Sequence, residues 1–572
     1  MITLRELTML QLMNSITDKP DWYIKINNPE IAQKWKDEAL ASGRDVTERM
    51  INWCINELKY NASLIPPPPA LPPPIFVYNG DVFKSDYAVS GELKKELQEA
   101  VKIFEAKIPG NMKDWHPGSE GKVWDLVHPS IFPLVYGHTR VLANGEMTTL
   151  KDCIQCCGQG EVAPIPPDDE TEEKWSREAG DEVDWLADDD PDSVEHPFSA
   201  KFQWLPCEVD IKGEAKIKTY INNLHPQEEQ HLYNLVEKLI SASIPLWDRT
   251  IAPLQHREYF AQDSTRRLQY KQVKYDPFPE RMPKTEGPQR EDYEDQVTFW
   301  DQRQKWYDET RRLVFPEPPE SFIPVGRPLP FSLRDQYGAR GLQVIVKLAN
   351  IQLTPEKPEY GGGTWHVEGQ LNEHIVATSL YYYSCENVTT STLSFRHQCR
   401  GGRSYEISYE QWVHDWLPAI FGMATEGPAV QEIGNVETRE GRLLTFPNIL
   451  QHRVGPFRLA DPKKPGHRKI VALFLVDPNI KVISTANVPC QQQAWWWQEI
   501  VRPKSHAMPG LWDSRLSGLP AELQDQVLED VNFPICLQEA KQLRLQLIEE
   551  RKGFVKSENE AFESRAFNLC EH

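Results

Sequence analysis

The sequence contains few cysteines and no long apolar run. Its 10 cysteines are spread over 572 residues, a density too low for the disulfide framework of a small secreted domain. It contains no run of about 18 apolar residues, the length of a membrane-spanning helix. The first residues also lack the basic and then apolar order of a secretory signal. We therefore expect a cytoplasmic protein without disulfides and without membrane contacts.

Basic residues are outnumbered by acidic ones. The chain has 63 lysines and arginines against 84 aspartates and glutamates, a formal net charge of -21. This balance argues against nucleic acid or an anionic membrane as a partner, because both require a basic face. Much of the excess lies in Asp168–Glu195, where 14 acidic residues accompany only Lys174 and Arg177. The acidity therefore indicates a solvated loop, or less simply a docking site for a basic partner, and says little about a substrate.

Composition otherwise supports a folded protein of several parts. Hydrophobic residues make up 40% and aromatic residues 10% of the chain, enough for a sizeable core. The tract Pro66–Pro74 is expected to be a stiff spacer, or alternatively a ligand for a partner with an aromatic groove. The distribution of helical and strand-like patterns predicts a mostly helical region at 1–197, a β-rich core with inserted helices at 198–515, and a helical extension at 516–572.

Capping residues predict where the N-terminal helices begin. Thr3 with Glu6 resembles a capping box, Asn28 precedes a proline in a first turn, and Ser90 precedes an apolar helical pattern. Asp45, three residues before a glutamate, predicts the start of a further helix.

Strand patterns dominate the second half. Apolar, β-branched and aromatic runs alternate there with turn residues, which indicates a β-sandwich or jelly roll and an α+β fold class. The predicted strands are Leu342–Leu348, Ile375–Tyr383, Thr392–Phe395, Gly441–Phe446 and Lys469–Val476.

Two histidines and one carboxylate are the strongest candidates for chemistry. His366 and Glu368 follow three glycines and fall on one side of an extended segment, because side chains alternate along a strand. His452, in a second strand-like run, is the candidate for a third metal ligand. Two imidazoles and a carboxylate on one face, with open positions opposite, suit non-haem Fe(II) oxygen chemistry.

The His-x-acid pattern alone is weak evidence. The composition gives roughly two such tripeptides by chance, and the second one, His256-Arg257-Glu258, has no strand pattern around it. We interpret His256 as a surface or packing histidine. His374 is a rival ligand, although a single histidine before a strand is more often a packed residue.

A cation stands at the mouth of the last strand. The guanidinium of Arg468 can bind a dicarboxylate end through two parallel hydrogen bonds. It lies 16 residues after His452, beyond a stretch that looks like an inserted loop. Neighbouring groups therefore stay open as alternatives for the same role: Arg458, Lys463, His467 and Lys469.

The order His-x-Glu, distal His and then Arg resembles the iron(II)/2-oxoglutarate-dependent oxygenase superfamily. Gly361–Arg396 and Gly441–Pro478 also resemble a large, mostly uncharacterised fungal family with such a core. That similarity extends to Val123–Pro129, Pro245–Arg249 and Phe567–His572.

The resemblance implies a double-stranded β-helix (jelly-roll or cupin-like) with helical extensions. It implies Fe(II) held by His366, Glu368 and His452, which would be the catalytic centre, and Arg468 bound to the distal carboxylate of 2-oxoglutarate. O2 and a small-molecule substrate would be the other reactants, with succinate and CO2 released. Further residues expected near the ligands are Asn372, His374, Tyr381, Tyr383 and Arg396, of which Asn372 and Tyr381 are predicted to bind cofactor.

Several alternatives stay open from the sequence. An iron oxidase of the same fold that does not use 2-oxoglutarate, a non-catalytic jelly-roll scaffold and a protein hydroxylase are all compatible with the motifs. The run Cys153-Ile154-Gln155-Cys156-Cys157 fits ordinary thiols better than a redox pair or half a zinc site, which needs four ligands. The substrate and the oligomeric state are not specified by the sequence.

Overall fold

A computed structural model describes most of the chain. The described residues are 1–66, 72–78, 81–143, 145–167, 197–255, 266–278, 282–283, 286–326, 330–399, 407–411, 413–501, 520, 523, 526, 534–564 and 566. The acidic segment Asp168–Glu195, the middle of the proline tract, His256-Arg257-Glu258 and Phe567–His572 lie outside them.

Helices occupy both ends of the chain and the connection before the long strands. The α-helices are α1 Leu4–Thr17, α2 Trp22–Lys25, α3 Pro29–Leu40, α4 Glu48–Ser63, α5 Gly91–Lys107, α6 Gln230–Ile251, α7 Gln296–Thr310, α8 Leu333–Tyr337, α9 Trp416–Phe421, α10 Gln493–Val501 and α11 Leu537–Ser564. Short 3-10 turns lie at Gly110–Met112, Ala252–Gln255, Arg290–Asp292 and Leu371–Glu373.

Three of the four predicted helix starts are confirmed. Thr3, Asn28 and Ser90 each accept hydrogen bonds from backbone N–H groups in the first turn of their helices. The predicted start at Asp45 is wrong, because Thr47 caps α4 and the Asp45 carboxylate instead binds Arg5 at 2.8 Å. The pairing partner on α1 could not be seen from the local pattern.

The strands form two main antiparallel sheets and several short pairs. The strands are β1 Ile75–Tyr78, β2 Val82–Ser85, β3 Val123–Val127, β4 Leu134–Val135, β5 Arg140–Val141, β6 Glu161–Val162, β7 Phe202–Gln203, β8 Cys207–Asp210, β9 Lys216–Ile217, β10 Leu342–Leu353, β11 Glu359–Tyr360, β12 Ile375–Glu386, β13 Thr392–Gln398, β14 Val430–Glu437, β15 Leu443–Pro447, β16 Gln451–Val454, β17 Phe457–Arg458 and β18 Gly466–Val476.

The larger sheet has the order β1-β2-β15-β12-β18-β10-β8-β9, and β3 also pairs with β10. A second sheet has the order β14-β13-β16, and β11 pairs with β17. Strands from the region predicted to be mostly helical, β1 to β3, thus extend the main sheet. The α+β class with antiparallel sheets is confirmed.

The two faces of the main sheet meet different cores. Val344, Val346 and Leu348 of β10 are buried in a core shared with α5 and α6. Ile345, with Phe474 of the neighbouring strand, lies in a second core shared with β13 and β14. Alternation along each strand therefore separates an outer face under helices from an inner face toward the second sheet.

The C-terminal helix α11 is fastened by charged and polar contacts. Arg544 makes two bonds of 2.5 and 2.9 Å to Asp114, and Arg551 binds Glu373 at 2.6 Å. Near its other end, the Asn559 amide donates to the Trp365 carbonyl at 3.1 Å. The helix thus runs from the segment before β3 to the loop that precedes His366. Within the described residues, no helix has the length and apolar character that a membrane crossing requires.

Candidate metal centre

The structure brings His366, Glu368 and His452 together. The Nε2 atoms of His366 and His452 lie 3.8 and 3.4 Å from Glu368 Oε1, and the two rings are 4.4 Å apart between centroids. One ligand atom from each residue falls within 4.8 Å of the others. About a third of the His366 side chain is exposed (32%), so the cluster is accessible on that side.

Backbone pairing sets this convergence. The N–H groups of His366 and His452 each donate to the other residue's carbonyl, at 3.2 and 3.0 Å. Gly362 lies at φ +95°, where a Cβ would stand 2.9 Å from the Val454 carbonyl oxygen. A glycine is required there because a side chain would force apart the segments that carry the two histidines.

Neighbouring polar groups orient the ligands. His366 Nδ1 lies 2.9 Å from the Thr364 carbonyl, which only accepts, so Nδ1 carries the proton and Nε2 keeps its lone pair. The Asn448 side chain holds Glu368 by its backbone, accepting from its N–H and donating to its carbonyl, both at 2.9 Å. His452 is buried against Phe446, with ring centroids 4.7 Å apart.

The electrostatics favour a bound cation. Burial and the nearby His452 lower the pKa of His366 to about 4, so the ring is neutral at pH 7. Burial opposes ionisation of Glu368, but its contacts with His452 and His366 outweigh this effect and lower its pKa to about 2. A neutral imidazole and an ionised carboxylate are the protonation states that metal binding requires.

The residues present fit a metal ion such as Fe(II). They offer nitrogen and oxygen donors from three side chains and leave the remaining positions free. His452 Nδ1 is buried and, among the described residues, has no hydrogen-bond partner.

A second group, His116, Asp125 and His128, has similar spacing but different chemistry. His128 Nδ1 accepts the Ser130 N–H at 3.1 Å, and burial lowers the pKa of His128 well below its usual range. A neutral ring that accepts at Nδ1 carries its proton on Nε2, which leaves no lone pair for a metal. Asp125 already binds His116 at 2.8 Å and faces Arg544 at 3.9 Å. We interpret this group as a hydrogen-bonded cluster.

Arg468 is buried on the inner face of β18. Its side chain is 2% exposed, and its Nη1 donates to the hydroxyls of Ser391 and Thr438 at 3.2 Å each. Its guanidinium lies 5.0 and 5.5 Å from the ring centroids of Phe457 and Tyr382. Arg468 Nε has no partner among the described residues, so the site has an unused donor that a carboxylate would satisfy.

The alternatives to Arg468 face elsewhere. Lys469 binds Glu105 at 2.7 Å, and His467 contacts Ser384 at 2.8 Å. Arg458 and Lys463 are exposed.

Other residues predicted near the ligands have varied surroundings. The Asn372 side chain bonds the backbone of Ser199 in both directions, at 2.7 and 2.9 Å. Tyr381 is buried in the core beneath α5 and α6, on the face opposite the inner one, and Tyr383 lies in the same core and donates to Asn350 at 3.2 Å. Asn372 and Tyr381 therefore stay predictions as cofactor-binding residues, with their described contacts made away from the cluster.

Arg396 contacts the residues that precede two of the ligands, whereas His374 lies at the end of a turn. Arg396 donates to Gln451, the residue before His452, at 2.7 Å and stacks 5.0 Å above Trp365. His374, at φ +44°, ends the 3-10 turn before β12.

Sequence reasoning missed the residues that orient the ligands, Thr364 and Asn448, and a lysine on the inner face, Lys347. Asn448 was visible four residues before His452, but its contact with Glu368 spans 80 positions. The cluster of His116, Asp125 and His128 was missed as well, although Val123–Pro129 was noted as similar to a known family.

The fold and the site define a mixed α and β protein that brings two histidines and a glutamate to one point beside antiparallel strands. Comparison with protein families places the chain further. It belongs to the family described as "Protein of unknown function (DUF4246)", whose sequence profile matches residues 48–499. The matching N-terminal domain, also of unknown function, covers residues 1–38.

Comparison with individual proteins adds little. No curated protein matches the chain. One similar solved structure is the Fe(II)/(alpha)ketoglutarate-dependent dioxygenase TqaL, with 15% identity, coverage of 25% of this chain and 46% of that chain, and a TM-score of 0.15. Another is EvdO2 from Micromonospora carbonacea var. aurantiaca complexed with 2-oxoglutarate, with 11% identity, 23% and 52% coverage, and a TM-score of 0.12. The chain spans about half the length of these structures, and at such TM-scores the likeness carries no argument.

Proposed function

We propose that this protein is an Fe(II)- and 2-oxoglutarate-dependent oxygenase that oxidises a small molecule. The observation that carries the proposal is the convergence of His366, Glu368 and His452 within 4.8 Å, together with Arg468 on the inner face of β18. Neither the triad nor a buried cation alone indicates this chemistry, but the pair provides separate places for a metal and for the far end of a dicarboxylate.

The strand order supports a double-stranded β-helix as the finer description of the fold. Four neighbouring strands of the main sheet, β10-β18-β12-β15, face the sheet β14-β13-β16 across a shared core, where the rings of Phe395 and Phe446 lie 5.1 Å apart. The bridge between His366 and His452 joins the β11 segment to β16. Such a rolled sheet would place both candidate sites inside it.

When bound, Fe(II) and 2-oxoglutarate would supply oxygen activation, with succinate and CO2 as co-products of substrate oxidation. The protein's own contribution is to hold the metal through His366, Glu368 and His452 and to keep His366 oriented through Thr364. Arg468 would bind the distal carboxylate, with the hydroxyls of Ser391 and Thr438 holding the guanidinium in place.

The aromatic surroundings would exclude water from this anchor. Tyr382 and Phe457 lie against the guanidinium of Arg468, where a low local dielectric strengthens a charge-assisted hydrogen bond.

The test is succinate release from 2-oxoglutarate under air by the Fe(II)-loaded full-length protein. Uncoupled turnover without added substrate is expected to be slow but measurable, and to be lost in Glu368→Ala. Lys463→Met, on an exposed loop, is the matched control and should leave the rate unchanged.

Two other results would contradict the proposal in different ways. Fe(II) binding without any 2-oxoglutarate binding would favour an iron oxidase of the same fold. Absence of Fe(II) binding under anaerobic conditions would favour a non-catalytic role.

A further inference from the structure

A lysine lies on the inner face of the main sheet, between the metal cluster and the anchor at Arg468. Lys347 occupies the middle of β10 and pairs with Ala472 of β18, which in turn pairs with Leu380 of β12. Ile345, two residues before Lys347, is buried in the inner core, whereas Val346 and Leu348 lie in the outer core. Alternation therefore directs the Lys347 side chain inward.

Among the described residues, the ammonium of Lys347 makes no hydrogen bond or ion pair, although the side chain is half-buried. The carboxylates of Asp125 and Glu368 are engaged with other groups, since Asp125 binds His116 at 2.8 Å and Glu368 lies 3.4 Å from His452. A half-buried ammonium without a counterion is available to form a charge-assisted hydrogen bond with an anionic ligand.

Its position along the strand is closer to the metal cluster than that of Arg468. The next inner-face row of paired residues, Ile345, Phe474 and Thr378, continues to Phe446, whose ring packs against His452. Arg468 pairs with Ile351, two inner-face rows away in the opposite direction. Ala472, the partner of Lys347 on β18, lies four residues from Arg468, about 13 Å along the strand. The side chains of Lys347 and Arg468 are both long enough to reach toward each other.

We propose that Lys347 binds the carboxylate at the metal-proximal end of a bound 2-oxo acid, while Arg468 binds the distal carboxylate. The inference rests on the proposed function and deepens it, because it assigns the two ends of the dicarboxylate to two residues. Lys347 is thus a binding residue. Its loss should weaken the binding of every 2-oxo acid, whatever group the far end of the molecule carries.

The experiment compares two ligands that differ only at the far end. Anaerobic calorimetric titrations of the Fe(II)-loaded full-length protein use 2-oxoglutarate and 2-oxopentanoate, which lacks the distal carboxylate. We expect Lys347→Met to weaken binding of both ligands by about tenfold or more, the loss typical of a charge-assisted hydrogen bond. Arg468→Met should weaken the binding of 2-oxoglutarate only, so that the two ligands then bind with similar affinity.

Controls separate this inference from folding and from the proposed function. Lys347→Arg keeps the charge and should retain most of the affinity, and Lys463→Met should bind both ligands as the wild type does. Fe(II) stoichiometry and near-ultraviolet circular dichroism check that each variant is folded and loaded. If Lys347→Met does not fold, Lys347→Gln takes its place, because its polar end tolerates the same half-buried site.

The outcomes are distinct. Wild-type affinity of the loaded Lys347→Met protein for both ligands would overturn the role of Lys347 and leave the proposed function intact. A loss confined to 2-oxoglutarate would also overturn it, since Lys347 would then act on the distal end. A wild-type protein that binds neither ligand would overturn the proposed function, and this inference with it.

Discussion

Asp81 shows how burial changes the acidity of a single side chain. Asp81 is 7% exposed and adopts φ +66°, a left-handed conformation that aspartate and asparagine tolerate better than most residues. Burial raises the pKa of Asp81 to about 8. The folded protein therefore binds a proton there at pH values where the unfolded chain has released it.

This residue gives a pH-dependent prediction. Between about pH 4 and pH 8 the folded state holds more protons at Asp81 than the unfolded state, so this residue makes stability fall as pH rises. Asp81→Asn keeps the shape and the backbone preference but removes the titration. We expect it to raise the melting temperature clearly at pH 8.5 and little at pH 4.5, as measured by thermal denaturation. An equal shift at both pH values would show that Asp81 is not protonated in the folded state.

The elements explain why the metal cluster forms where it does. The segment after β11 pairs with β16 through the reciprocal hydrogen bonds of His366 and His452. The approach depends on Gly362, whose Cβ position is blocked by the Val454 carbonyl, whereas a Cβ on Gly361 would meet nothing within 4 Å. A side chain could therefore be added at Gly361 without a clash, but not at Gly362.

The two glycines form a matched pair of variants. Gly362→Ala should weaken Fe(II) binding by about 10- to 100-fold, because about 1–3 kcal/mol of backbone strain would be relieved by separating the two segments. Gly361→Ala should bind Fe(II) as the wild type does. Anaerobic Fe(II) titration measures both, and equal affinities would mean that the cluster does not depend on this close approach.

The helix α11 gives a second prediction at the level of elements. Arg551 stacks 3.8 Å above the Trp204 ring and binds the fully buried Glu373, so its loss leaves a buried carboxylate unpaired. Arg551→Ala should speed hydrogen exchange of 537–564 by about tenfold or more while leaving exchange in β12 and β18 unchanged. Lys556→Ala, at a side chain that is 78% exposed, is the control. If Arg551→Ala exchanges like the control, the helix is held mainly by the apolar contacts of Leu547.

Across the whole molecule, the helix caps and strands that local sequence patterns specify could be predicted from the sequence. Caps at Thr3, Asn28 and Ser90 and the long strands of the second half were confirmed, because each depends on residues close together in the chain. The convergence of His366 with His452 also followed from motif order. By contrast, the capping role of Thr47, the contact of Asn448 with Glu368 and the position of Lys347 depend on partners far along the chain.

The same reasoning explains why the nature of the cluster of His116, Asp125 and His128 could not be judged from sequence. His116, Asp125 and His128 have ligand-like spacing, but only the contact of His128 with the Ser130 N–H shows where its proton lies. Tautomer and pairing are properties of the folded molecule. They distinguish a metal centre from a hydrogen-bonded cluster of the same composition.

The number of Fe(II) ions bound per chain under anaerobic conditions decides whether His366, Glu368 and His452 form a metal centre. We expect one ion for the wild type and for His128→Ala, and none for folded His366→Ala, Glu368→Ala or His452→Ala. Full occupancy in the folded His452→Ala protein, or loss of the ion in the folded His128→Ala protein, would contradict this assignment.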